Sequence, residues 1–307
     1  MGHFKIDDMT GVIPAMITAF NRDEEIDEKG IHSCIDFFLE KKVAGLYITG
    51  STGEAFLMTH EEKKQVVEII VNYVDGRIPI IAHVGSIGTR LSIDLAQHAQ
   101  KIGVDAISCL PPFYYSFSSD QIYDYYNDIA ESVDLPLIVY NIERAGLMGF
   151  EMIKKLSSIK NVKGIKYTAT SHFDIMRIKK EIGPSFMIYS GADEMALSGL
   201  LSGSDGVIGS YYNLMPEIFI EIYNAIKNND YLKAKKLQEK ANTVILFSVG
   251  SAYSVIKKGM EWQGVQSGIC RRPFKNYNEN EVETLKKNFQ QLKKINDLSG
   301  INFLDCI

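Results

Sequence analysis

Gly103-Val104-Asp105-Ala106-Ile107 and Gly203-Ser204-Asp205-Gly206-Val207 repeat one device: a helix end turns through glycine straight into an apolar strand. Val43-Ala44-Gly45-Leu46-Tyr47 is a looser third copy. Outward from these, apolar runs at 12–18, 44–49, 79–84, 105–110, 136–141, 162–168, 186–190 and 206–210 predict strands. Between them, 27–42, 59–74, 89–101, 119–133, 150–158, 171–182 and 193–202 predict helices. In the first helix Ile31, Ile35, Phe38 and Leu39 share a face; the second opens on Thr59 with Glu62, a capping box. Eight strand–helix units in about 210 residues predict an α/β fold, a closed parallel (β/α)8 or TIM barrel. An open doubly wound sheet would not need eight units. Beyond the eighth strand the pattern is helical, at 216–227, 231–247, 251–262 and 279–298. The expected division is a barrel over 1–212 and a C-terminal helical extension over 213–307. The extension is expected to pack on the barrel without chemistry of its own.

The 307 residues carry a net charge of -5, with 46% hydrophobic and 23% charged residues, an ordinary soluble globular composition. No long basic stretch offers a nucleic-acid footprint, and no apolar run approaches transmembrane length, so neither nucleic acid nor membrane is expected as a partner. Cys34, Cys109, Cys270 and Cys306 lie far apart, and residues 1–10 hold no apolar signal core. A reducing cytoplasm is the simplest location.

Active sites in such barrels lie where strands end and the following loops begin. The sixth strand ends Gly164-Ile165-Lys166-Tyr167-Thr168. Apolar strands seldom close on a lysine, because desolvating an ammonium is costly. Partial burial lowers the pKa and yields a free amine that attacks a ketone to give a Schiff base. The plainer alternative is a lysine reaching solvent along its stem. The second strand runs into Gly50-Ser51-Thr52-Gly53-Glu54, whose hydroxyls and N–H groups suit an anion; alternatively Ser51 or Thr52 caps a helix. Tyr140-Asn141 ends the fifth strand and offers a phenol for proton transfer, or simple packing. Gly191-Ala192-Asp193-Glu194 follows the seventh, with two acceptors for a polyol or Asp193 as a helix cap. Gly209-Ser210-Tyr211 follows the eighth. His83, near the end of the third strand, reads as a packed or hydrogen-bonded histidine. No His-x-x-x-His pair occurs, so no metal site is expected. The stretch 203–209 lacks lysine and arginine, which argues against a phosphate site there.

In order and spacing this set resembles the pyruvate-dependent aldolase family of N-acetylneuraminate lyases and dihydrodipicolinate synthases, over nearly the whole chain. The resemblance implies that Lys166 forms the Schiff base with pyruvate, Tyr140 moves protons, and Ser51 and Thr52 hold the pyruvate carboxylate. No cofactor and no metal are implied. Gly-Ser-Thr at 50–52, Pro112-Phe113-Tyr114-Tyr115, Lys166-Tyr167-Thr168, Gly191-Ala192-Asp193-Glu194, Gly209-Ser210 and Arg272-Pro273-Phe274-Lys275 resemble the branch that acts on sialic acid. That implies Thr168, Gly191, Asp193, Glu194 and Ser210 as contacts to the sugar. It implies sialic acid, pyruvate and N-acetylmannosamine as small-molecule partners. It also implies a homotetramer in which Tyr114 serves a neighbouring subunit's site. The alternatives are a related aldolase that makes dihydrodipicolinate or acts on 2-keto-3-deoxy sugar acids, and a non-catalytic keto-acid-binding homologue. The synthases carry an arginine five residues after the tyrosine; Ala145 stands there, with Arg144 one place earlier. Glu143 replaces the usual proline near the tyrosine, where its charge is expected to retune the phenol or reshape the pocket wall, and Tyr211 replaces an expected threonine.

Overall fold

In a computed structural model that describes residues 3–307, the echoed sequence device explains itself. Gly103 and Gly203 both adopt left-handed backbone, at φ 98° and 100°. The aspartate two residues on then ties down the preceding strand: Asp105 Oδ2 accepts the Ile80 N–H, and Asp205 Oδ2 the Ile188 N–H, each at 2.8 Å. Residues 1 and 2, which open both the stretch read for a signal and the expected barrel division, lie outside the described residues.

The described residues form eight strands: β1 (Gly11–Pro14), β2 (Leu46–Ile48), β3 (Ile80–His83), β4 (Ala106–Cys109), β5 (Leu137–Ile142), β6 (Val162–Thr168), β7 (Met187–Ser190) and β8 (Gly206–Gly209). They pair in parallel around one sheet, with β1 joined to β8. The ring closes where the Met16 N–H meets the Tyr47 carbonyl at 2.8 Å and Ala15 bridges to Tyr47. Of the run expected as a strand over 12–18, the strand proper ends at Pro14, and Ala15 and Met16 carry the pairing on as an isolated bridge. The alternating helices are α1 (Glu28–Glu40), α2 (His60–Val74), α3 (Thr89–Ile102), α4 (Ser119–Glu131), α5 (Phe150–Ser157), α6 (His172–Glu181), α7 (Ala196–Leu201) and α8 (Pro216–Lys227). The Thr59–Glu62 capping box forms as read, and Ser118 with Gln121 adds another at α4. The expected division at 212/213 falls before α8, which packs on β1 and α7 as the eighth helix of the ring. α9 (Tyr231–Ser248), α10 (Ala252–Trp262), α11 (Glu279–Ile295) and the unanticipated α12 (Asn302–Asp305) lie outside that ring.

Period-two alternation divides the strands between two cores. Ile13, Tyr47, Ile81, Ala106, Ile138, Met187, Tyr189 and Ile208 fill the barrel interior. Val12, Ile48, Ile80, Ile107, Val139, Ile165 and Tyr167 face the helices. The interior is therefore packed with side chains, and chemistry is confined to its carboxyl-terminal mouth.

Candidate active site

On β6, Ile165 and Tyr167 join the outer core, so Lys166 between them takes the inward direction. Register sets it opposite Tyr140 of β5 and Tyr189 of β7. It is 4% exposed, which rules out a stem reaching to solvent. Its Nζ lies 4.2 Å from the Tyr140 ring centre and 4.3 Å from that of Tyr47. Among the described residues no carboxylate comes within ion-pair distance of it. Burial pulls its pKa down to about 7, against the opposing pull of Asp193. An amine in that state is a nucleophile near neutrality.

Tyr140 is buried beside it, and burial raises its phenol well above the ordinary range. Tyr253 and Asp193 push the same way, and the Thr168 and Ser51 hydroxyls oppose them. Glu143 is exposed on the turn that follows, so burial and not that carboxylate sets the phenol. The Tyr47 hydroxyl donates to Ser108 Oγ at 3.2 Å. His83 is a packed base: its Nδ1–H donates to the Thr49 carbonyl (3.2 Å), its Nε2 accepts the Leu110 N–H (3.4 Å), and burial holds it at about 3.

The turn after β2 is held at several points. Thr49 and Glu54, which bracket it, both sit in left-handed backbone, at φ 52° and 58°. Such geometry in a β-branched residue costs energy and persists where the surroundings impose it. Gly50 passes so close over Tyr47 that a Cβ there would meet the ring at 2.6 Å. Thr18 Oγ1 donates to the Gly53 carbonyl at 2.8 Å, and Thr52 Oγ1 lies 2.7 Å from Ser210 Oγ. Neither Ser51 nor Thr52 caps a helix; Glu54 precedes the following 3₁₀ turn without a side-chain cap. The N–H groups of Ser51, Thr52 and Gly53 donate to no acceptor among the described residues. Free N–H groups and hydroxyls on a fixed turn make an anion cradle.

Asp193 and Glu194, read as a pair, separate. Asp193 caps no helix: 193–202 breaks into a 3₁₀ turn and α7, and the carboxylate turns inward to β8. Its Oδ2 accepts the N–H groups of Ser210 (3.0 Å) and Tyr211 (2.9 Å), while Oδ1 is buried without a partner. Burial lifts this carboxyl to about 7. A Cβ at Gly209 would collide with Oδ1, and one at Gly191 with Thr168 Oγ1, so both positions exclude side chains. Thr168 Oγ1 is also buried without a partner. Glu194 is exposed. Tyr211 turns its hydroxyl away, to Ser248 Oγ on α9 at 3.0 Å.

The helices beyond the ring pack on the barrel and also lend side chains to the surroundings of its site. Tyr253 of α10 helps to raise the Tyr140 phenol, and its own is raised by burial against the opposing pull of Arg144. Lys257 of α10 pairs with Glu54 at 2.7 Å. Tyr47, Tyr253 and Lys257 were missed from the sequence. Tyr47 sits in an apolar strand and reads as core, and the other two lie on a remote helix. Nothing local marks them: Lys257 follows Val255-Ile256 and is followed at once by Lys258, as on an ordinary amphipathic helix. Tyr114 stands apart, 85% exposed at φ 80°, with its ring against Tyr115. Among the described residues, no group of three or more His, Cys, Asp or Glu is arranged to hold a metal ion, and no helix is long and apolar enough to cross a membrane.

Residues 8–292 match the model of the dihydrodipicolinate synthetase family. N-acetylneuraminate lyase 2 of Escherichia coli O6:H1 is 38% identical over 292 residues, covering 94% of this chain and 95% of that one. CdNal of Clostridium difficile, solved in complex with mannosamine, superposes with a TM-score of 0.89 at 35% identity, over 93% of this chain and 99% of that one. A catalytic lysine mutant of Ruminococcus gnavus sialic acid aldolase superposes with a TM-score of 0.90 at 29% identity, over 96% and 98%. The chain belongs to the dihydrodipicolinate synthetase family.

Proposed function

We propose that the chain is a Schiff-base aldolase that cleaves N-acetylneuraminate reversibly to pyruvate and N-acetylmannosamine. The observation that carries this reading is the Lys166 amine, buried between two phenol rings without a carboxylate partner and held at about 7. The lyase relatives and their solved structures support the choice of substrate.

The open-chain sugar acid presents its 2-keto carbon to the Lys166 amine. The amine adds and water leaves, giving an iminium at C2. The cradle of Ser51, Thr52 and their N–H groups orients the carboxylate. Tyr140 relays the proton of the C4 hydroxyl as the C3–C4 bond breaks: its oxygen accepts that proton while its own passes through the neighbouring Ser51 and Thr168 hydroxyls to the substrate carboxylate, which later returns it to C3, and the bonding electrons flow into the iminium to give an enamine. N-acetylmannosamine departs, C3 of the enamine is protonated, and water releases pyruvate and the amine. The iminium is itself the electron sink, so this chemistry calls for no metal or organic cofactor. Thr168, Asp193 through Oδ1, Glu194, Ser210 and the Gly191 backbone hold the sugar hydroxyls. The assembly is a cytoplasmic homotetramer in which exposed Tyr114 completes a neighbouring site.

Borohydride reduction in the presence of pyruvate tests the reading. The expected product is a pyruvate-tagged Lys166, with pyruvate released from N-acetylneuraminate in preference to other 2-keto-3-deoxy acids. An untagged chain, or normal turnover by Lys166→Met, would overturn it.

A further inference from the structure

The carboxylate cradle is gripped from the far side by an ion pair that spans the barrel and the helices outside it. Glu54 ends the turn in left-handed backbone, and its side chain is fully buried. Its Oε1 takes the Lys257 ammonium at 2.7 Å, and its Oε2 accepts the Arg271 N–H, also at 2.7 Å. Lys257 donates in addition to the carbonyls of Thr18 (2.8 Å) and Ile269. Thr18 in turn holds the Gly53 carbonyl through its hydroxyl. One ammonium therefore fixes both the last residue of the turn and the segment that braces the residue before it. The other end of the turn is tied to β3, where the Thr49 hydroxyl donates to the His83 carbonyl at 3.0 Å.

A desolvated pair of this kind adds little net stability compared with apolar side chains of the same size. It does impose geometry. Turn residues at positive φ relax toward ordinary backbone once their constraint is removed, and the N–H groups between them rotate with them.

We propose that Glu54 and Lys257 are positioning residues, which hold the free N–H groups of Ser51 to Gly53 in the orientation that binds the carboxylate of a 2-oxo acid. The inference rests on the aldolase reading above. It assigns α10 a part in substrate recognition that the sequence did not disclose.

The test compares two ketones at Lys166. Pyruvate uses the amine and the cradle; acetone uses the amine alone. Borohydride trapping is measured against concentration for each, with the full-length wild-type protein, with Glu54→Gln and with the paired apolar variant Glu54→Leu/Lys257→Met. The apolar pair leaves no uncompensated buried charge, and Glu54→Gln keeps the side-chain shape should the double variant fold poorly. Thermal melting reports folding throughout. The expected result is a pyruvate half-saturation raised by roughly ten- to a hundredfold, the scale of a small misplacement, with acetone trapping changed by less than about twofold. Equal losses for both ketones would show a general structural defect and overturn the proposal. An unchanged pyruvate curve in a folded variant would overturn it as well. If wild-type protein is tagged by pyruvate in either case, only the positioning role fails. An untagged wild-type Lys166 brings down the aldolase reading and this inference together.

Discussion

Lys166 and Lys257 are both almost wholly buried amines, and they differ in everything that surrounds them. Lys257 meets a carboxylate at 2.7 Å and two carbonyls, so each of its three protons has an acceptor. Lys166 meets the faces of two phenol rings, and the carboxylate that acts on it, Asp193, stays beyond ion-pair distance. Ring faces attract a cation weakly, by about 0.5–2 kcal/mol, far less than the desolvation they fail to offset. A buried amine with a full set of acceptors stays in place and organises the backbone; one without them loses its proton near neutrality and reacts.

Truncating each lysine to methionine breaks the comparison most directly. Lys166→Met is expected to lower turnover by at least about 10⁴-fold, because no other amine faces the bound ketone. The same change is expected to stabilise the fold. Folded Lys166 has a pKa of about 7, below that of the unfolded chain, so its burial costs stability. That cost is full below about pH 7 and fades as pH rises toward the free-lysine range, since the unfolded amine there sheds its proton too. Denaturant melts at pH 6 and pH 10 should show the larger gain at pH 6. Lys257→Met is expected to act in the opposite sense, costing about 3–5 kcal/mol by leaving Glu54 buried and unpaired. Stabilisation by both substitutions would collapse the distinction.

Tyr140→Phe is expected next, with turnover lowered by about 10²–10⁴-fold, the usual worth of a positioned proton carrier. Because the ring that covers Lys166 survives, pyruvate trapping by borohydride should persist. Loss of trapping in step with turnover would make the phenol part of imine formation itself. The pH dependence of imine formation follows. Below about pH 7 the free amine falls about tenfold per unit, so kcat/KM should show an acid limb near 7. A limb near the ordinary lysine range would mean that water reaches the amine.

The barrel was legible because its determinants are local. Gly103 and Gly203 end helices, Asp105 and Asp205 tie the preceding strands, and alternation tells inner from outer residues. The reacting amine was legible because a lysine contradicts its strand. What stayed hidden depends on contacts between distant segments. The Glu54–Lys257 pair joins residues 203 positions apart, and no periodicity marks it. The Asp193-Glu194 dipeptide reads as two equal acceptors, yet the turn buries one and exposes the other. Tyr253 acts on the Tyr140 phenol from α10, a helix outside the ring whose link to the site no local pattern marks.

The smallest expected effect probes the carboxylate nearest to becoming a partner for Lys166. Asp193 resists the downward shift that burial imposes on Lys166, without touching the amine. It stands to Lys166 as Glu54 stands to Lys257, but farther off and with Oδ2 already engaged by two N–H groups. Asp193, itself lifted to about 7 by burial, carries part of its charge across this limb, and Asp193→Asn removes that part while retaining a carbonyl oxygen able to accept both N–H groups. The acid limb for pyruvate imine formation should therefore move to lower pH, by less than burial has already moved it. Borohydride trapping with pyruvate alone reads this limb free of sugar contacts. An upward movement would mean that the amide replacement has altered the amine by hydrogen bonding, not by charge. A limb that does not move would leave burial as the sole cause of the Lys166 shift and would make the contrast with Lys257 complete.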